Sequence, residues 1–264
     1  MLRAYGVTAK GRVRPTNEDY FAIDEGLHLC VVADGLGGHN AGEVAARMAV
    51  DAVADHIAVC GAALPGLRGD AESTALQQAG TWPFGFDASL SHTGNLLRTA
   101  IHLANVQILE TAIGSDEYQG MGTTIVAAMI DGERLSVGHV GDSRLYVVAD
   151  DRMRQLTHDD SWVASVLGDD PQAKRDHPMR NLLTNVVGAR PRTDVHVVEE
   201  ILGGGELLLL VTDGVHGVLD DHRLERLVRD GGDLRQIATS LVSAALARGS
   251  RDNCTAVAAR YLPD

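Results

Sequence analysis

Positive charge is scarce in this chain. Across 264 residues, Lys and Arg number 23 against 36 Asp and Glu, a formal net charge of −13. That balance argues against nucleic acid or an anionic membrane as the main partner, because both need clustered Lys and Arg. Long apolar runs are missing too. None approaches the roughly 18 residues of a membrane span, and the opening MLRAYGVTAKGR has no apolar region of the signal-peptide kind. Cysteine is limited to Cys30, Cys60 and Cys254, an odd number with no CxxC pair. Cys30 and Cys254 sit in apolar surroundings, as buried thiols do, and a reducing cytoplasm is the expected location. No Pro/Ser-rich linker, charge block or repeat divides the chain. A prior of about 150 residues per domain leaves one or two domains open, and the missing linker favours one, spanning residues 1–264.

What is there reads as a large core: 45% of the residues are hydrophobic. Residues 28–33 form a short apolar run bounded by turn signals, a buried strand. Residues 41–58 have helical spacing, with Val44, Met48, Ala52 and Ile57 near one face. Residues 61–95 carry Gly, Pro and aromatics without periodicity and read as an insertion. A helix over 96–113 follows, then three short β-type runs at 123–130, 134–140 and 145–149, punctuated by Asp131-Gly132 and Gly141-Asp142. Residues 158–185 are polar and irregular. Strands at 195–200 and 206–212, helices at 221–230 and 233–247, and a strand at 253–261 complete the pattern. Helices early and late with hairpin-linked strands between them predict an α+β fold of antiparallel sheets covered by helices.

Asp-Gly closes an apolar run twice, at Asp34-Gly35 after Val31-Val32-Ala33 and at Asp213-Gly214 after Leu207 to Thr212. Asp19, in Arg14-Pro15-Thr16-Asn17-Glu18-Asp19, and Asp252, just before the last strand, stand at similar junctions. A carboxylate at a buried strand tip is costly unless its charge is compensated. If these strands are neighbours, the four acids converge and repel, raising their pKa values or demanding cations. No His or Cys stands at ligand spacing with them, and all-oxygen coordination suits Mg²⁺ or Mn²⁺ rather than Zn²⁺. The turn Gly35-Leu36-Gly37-Gly38-His39-Asn40 fails the dinucleotide fingerprint, which needs glycine where Asn40 stands, and lacks the Gly-Lys-Ser/Thr of a P-loop.

The ordered set RPTNED (14–19), VVADGLGGHNAGE (31–43), GMGTT (120–124), VGDSRLY (140–146), LLLVTDGV (208–215) and RDNCT (251–255) resembles the metal-dependent serine/threonine protein phosphatases of the PPM, or type 2C, family, in its bacterial single-domain form. The resemblance spans nearly the whole chain. It implies a central β-sandwich with helices on both faces, a four-layer α-β-β-α fold, and two Mg²⁺ or Mn²⁺ ions at one end. Residue by residue, it implies that Asp34 bridges both ions, that the Gly35 carbonyl binds one, and that Asp213 and Asp252 bind the other. Asp19 acts through metal-bound water and Arg14 holds the substrate phosphate, where a guanidinium fork matches the oxygens and Lys does not. The implied reaction is direct hydrolysis of phosphoserine or phosphothreonine, with no phosphoenzyme.

Two positions depart from the family. Many eukaryotic members read Asp-Gly-His, whose imidazole is a proposed general acid; here that position is Leu36, and His39 is the bacterial counterpart. A third ion is often bound through an acid just before GMGTT, for which Asp116 is the candidate. Residues 158–185 match the family's flap beside the active site. Asp142 and Arg144 are expected to hold a tight turn or an ion pair, and His139 to be structural. The resemblance implies phosphoproteins as partners, with an opposing Ser/Thr kinase or its substrates, and a monomer. The alternative is a catalytically weak phosphoprotein-binding module of the same fold, whose mark would be lost metal carboxylates; Asp34, Asp213 and Asp252 are all present.

Overall fold

A computed structural model describes residues 1–37, 41–62, 82–150, 152–167 and 177–262. Two antiparallel sheets lie face to face. One runs in the order β1 (Leu2–Ala9), β11 (Cys254–Tyr261), β10 (Leu207–Val211), β7 (Arg144–Ala149), β8 (Arg152–Gln155). The other runs β2 (Asp19–Asp24), β3 (Leu29–Leu36), β5 (Ile125–Asp131), β6 (Arg134–Val140), β9 (His196–Ile201), with the two-residue β4 (Gly122–Thr123) paired to the end of β3. Helices α1 (Ala41–Ala62) and α2 (His92–Gly114) cover the second sheet. Helices α5 (Asp221–Asp230) and α6 (Leu234–Ala247) cover the first, and the short α3 (Trp162–Val166) and α4 (Asp213–His216) lie in loops. The layers are α-β-β-α, as expected, and none of the described helices is long and apolar enough to cross a membrane.

The apolar runs are continuous because each central strand is buried on both faces. Leu29, Val31 and Ala33 pack under α1 and α2, while Cys30 and Val32 meet the opposite sheet. Leu207, Leu209 and Val211 pack under the other helices, and Leu208 and Leu210 fill the space between sheets. Burying each such Leu or Val stabilises the fold by about 1.5–3 kcal/mol. Cys30 and Cys254 are buried free thiols.

Several expectations shift. The buried stripe of α1 is Ala45, Ala49, Val53 and Ile57; Val44, Met48 and Ala52 only flank it. The small side chains of Ala45 and Ala49 let this part of the helix lie close to the sheet. Helix α2 starts at His92, inside the expected insertion, because the Ser91 hydroxyl accepts the Gly94 amide at 3.0 Å. Residues 63–81 of that insertion lie outside the described residues, and Trp82, within it, packs edge-on against His92. The edge strands β1, β2 and β8 are additions to the sequence reading. Within the expected flap, α3 forms and Ser161 bridges Leu183; residues 168–176 lie outside the described residues.

Candidate metal centre

Asp34 does not close its strand. Strand β3 continues through Asp34-Gly35-Leu36, because β4 pairs with it there: Gly35 faces Thr123 and Leu36 faces Gly122. The Asp34 amide donates to Thr124 Oγ1 at 3.1 Å, and its carbonyl accepts from the Thr124 amide and from Thr123 Oγ1, each at 2.9 Å. Gly35 is needed for close approach: a Cβ there would lie 2.0 Å from the Gly42 carbonyl oxygen and 2.8 Å from that of Glu18. Strand β2 sets Asp19 directly opposite Asp34.

The second Asp-Gly is built differently. Strand β10 ends at Val211, and Asp213 opens α4 with Thr212 as its N-cap. The Thr212 hydroxyl does not cap the helix. It donates to Asp19 Oδ2 at 2.9 Å, and Thr255 Oγ1 donates to the same oxygen at 2.6 Å. A Cβ on Gly214 would lie 1.7 Å from the Asn253 carbonyl oxygen, so this glycine also marks backbone contact. Asp252 Oδ2 accepts from Arg14 Nη2 at 2.6 Å. Asn253 ties the loop carrying Arg14 to β11: its amide group donates to the Lys10 and Thr16 carbonyls and its oxygen accepts from the Glu18 amide.

Asp34, Asp19, Asp213, Asp252 and Asp142 therefore share one end of the sandwich. Burial pushes the Asp34 carboxyl well above the usual range, and Asp19, Asp213, Asp142 and Asp252 push it further. Burial pushes Asp19 up to about 7 against its threonine hydrogen bonds, and Asp213 up to about 6, with Asp252 adding to the rise. Asp19 Oδ1 and Asp213 Oδ1 are buried without a hydrogen-bond partner. Crowded carboxylates with orphaned oxygens fit divalent cations with all-oxygen ligands. Among the described residues, no three His, Cys, Asp or Glu side chains are already gathered around one point; Asp252 is turned to Arg14.

Asp142, expected from the sequence to hold a tight turn or an ion pair, also lies among these acids. Its side chain is buried at 8% exposure, and its carboxyl is pushed well above the usual range by burial and by Asp213. Asp116 instead stands exposed in a 3₁₀ turn at Asp116–Tyr118. The signal was present in Gly141-Asp142-Ser143-Arg144, where Arg144 does make the expected ion pair. Its Nε and Nη2 reach Asp159 Oδ1 and Oδ2 at 2.9 and 2.7 Å. His39 lies outside the described residues. A cavity of about 440 Å³ opens beside Asp142 and Asp213, walled by Ser161 and Arg180 of the flap and by His216 and Asp221. Burial pushes His216 down to about 3, so it is neutral at pH 7, and its Nε2 lies 3.0 Å from the Asp142 carbonyl oxygen.

An α-β-β-α sandwich with an acid cluster at one sheet end is the architecture of PPM-type phosphatases. Residues 11–248 match the protein phosphatase 2C family, and the chain belongs to it. It is 31% identical over 257 residues to the serine/threonine phosphatase stp of Listeria innocua, covering 94% of this chain and 91% of that one. The crystal structure of the Mycobacterium tuberculosis serine/threonine phosphatase PstP/Ppp superposes with a TM-score of 0.81 at 27% identity, covering 100% of this chain and 99% of that one. The catalytic domain of PstP in complex with two manganese ions gives a TM-score of 0.77 at 25% identity, covering 99% of this chain and 98% of that one.

Proposed function

We propose that this chain is a metal-dependent protein serine/threonine phosphatase, with residues 1–264 as one catalytic domain. The observation that carries the reading is the convergence of Asp34, Asp19, Asp213 and Asp252 with buried, unpartnered oxygens on Asp19 and Asp213. Asp34 and the Gly35 carbonyl would hold one Mn²⁺ or Mg²⁺ ion. Asp34 would be shared with a second ion held by Asp213 and Asp252. Two such ions would polarise the phosphoryl group and lower the pKa of a water between them.

The chain's own residues do the rest. Arg14 presents its guanidinium to the phosphoryl oxygens, where charge builds in the transition state. Asp19 is held in one orientation by Thr212 and Thr255, which leaves Oδ1 free for a water in the site. Asp142 replaces Asp116 as the acid for a third ion, because it faces Asp213. His39 is the proton donor to the leaving alkoxide in this reading. The phosphorylated proteins would be targets or partners of a Ser/Thr kinase, and the enzyme would act as a cytoplasmic monomer.

The test is phosphate release from a phosphothreonine peptide and from p-nitrophenyl phosphate. Hydrolysis of both with Mn²⁺ and of neither with EDTA is expected. A pure protein inert in millimolar Mn²⁺ overturns the reading, and peptide binding without hydrolysis would mark the binding module instead.

A further inference from the structure

Two consecutive acids grip the turn that carries Asp142 from both sides. Asp159 holds Arg144, two residues after Asp142, by paired hydrogen bonds. Asp160 holds Gly141, the residue before it, twice. The Asp160 amide donates to the Gly141 carbonyl at 2.9 Å, and the Gly141 amide donates to Asp160 Oδ2 at 3.0 Å. Gly141 has a φ of +96°, and a Cβ on it would lie 2.6 Å from Thr124 Cγ2. The turn therefore rests on the threonine whose hydroxyl accepts the Asp34 amide.

Asp160 has further partners from two other places in the chain. Asn185 Nδ2, at the far end of the flap, donates to Oδ2 at 2.8 Å, and the Thr184 amide donates to the Asp160 carbonyl at 2.8 Å. His196 Nε2, on β9, lies 2.9 Å from Oδ1. His139 stacks on His196 with ring centres 5.0 Å apart, and burial holds its pKa down to about 4. The Asp160 side chain is only 11% exposed. One carboxylate thus joins both ends of the flap, the edge of a sheet and the turn before Asp142, yet no metal or substrate role requires it.

We propose that Asp160 is a positioning residue: through Gly141 it sets where Asp142 presents its carboxylate, and through Asn185 and Thr184 it fixes the flap to that same point. This rests on the phosphatase reading for its effect on turnover, but its effect on metal binding stands apart from it. Outer partners that orient a metal acid typically contribute about 10- to 100-fold in affinity or activity when removed.

The test uses the full chain with Asp160→Ala, Asp160→Asn and Asn185→Ala, read by Mn²⁺ binding isotherms, by kcat and KM on a phosphothreonine peptide, and by melting temperature. Asp160→Ala should weaken the loosest Mn²⁺ step about tenfold or more. It should lower kcat by a similar factor with KM little changed. Asp160→Asn keeps an oxygen for the Gly141 amide and should restore most of both. Asn185→Ala should move the isotherm the same way by less. A wild-type isotherm and kcat in Asp160→Ala overturn the proposal. So do losses that Asn fails to rescue and that follow the melting temperature down. If the wild type hydrolyses nothing, the phosphatase reading falls, and the Mn²⁺ isotherms still decide the role of Asp160.

Discussion

Arg14 Nη2 lies 2.6 Å from Asp252 Oδ2, so the residue proposed to grip phosphate holds an acid proposed to grip metal. The arginine side chain is 48% exposed and the aspartate 25%. An ion pair that open contributes only about 0.2–1 kcal/mol. So weak a tie would leave Asp252 available to a divalent ion and the Arg14 guanidinium available to substrate.

Arg14→Ala separates these roles. It should cost about 10²-fold in kcat/KM on a phosphopeptide, the usual loss for one preorganised charge donor. Mn²⁺ affinity should hold or rise, because a competing cation has left Asp252. Arg14→Lys should restore little turnover, since an ammonium lacks the planar fork. Weaker Mn²⁺ binding in Arg14→Ala, measured by calorimetry, would contradict that competition.

The glycines of the two Asp-Gly pairs are expected to be intolerant of any side chain. Gly35→Ala and Gly214→Ala place a Cβ 2.0 and 1.7 Å from backbone oxygens that cannot rotate away. Each should cost about 3 kcal/mol in denaturant unfolding. Gly114→Ala, at the end of α2 with nothing within 4 Å, should instead be neutral or stabilising by up to about 1 kcal/mol.

Glu199 governs an acid-sensitive tie between α2 and the second sheet. Burial alone would raise its carboxyl. Hydrogen bonds from the Ser91 and Ser136 hydroxyls and the Ser91 amide, with Arg134 nearby, pull it below its ordinary value instead. A lowered pKa means the unfolded chain takes up the proton first. The contribution is therefore present above the unfolded value and is lost as pH falls through the folded one. Glu199→Gln should cost about 2 kcal/mol at pH 7 and progressively less in acid, read by chemical denaturation at both pH values.

Much of this was legible in the chain, for identifiable reasons. Cys30–Ala33 and Leu207–Val211 are buried on both faces, so their apolar runs announce them. Leu2–Ala9 and Asp19–Asp24 are edge strands with mixed burial, so no apolar run marks them. Asp34 and Asp213 look alike in sequence, yet one lies within a strand and the other opens a helix; pairing with Gly122–Thr123 makes that difference. Asp142 is likewise brought near Asp213 only by folding. Counting residues back from GMGTT cannot reveal which acid the β6–β7 turn delivers to Asp213.

The central claim is that Asp34 and Asp213 hold the ions that make phosphate-ester hydrolysis possible. The most direct measurement is phosphate release from a phosphothreonine peptide across a Mn²⁺ titration, for the wild type, Asp34→Ala and Asp213→Ala. The account predicts Mn²⁺-dependent release by the wild type and losses on the order of 10³-fold in each variant. It also predicts that the metal-free variants melt no lower than the wild type, because each removes a crowded buried carboxylate. Undiminished release by either variant would contradict it.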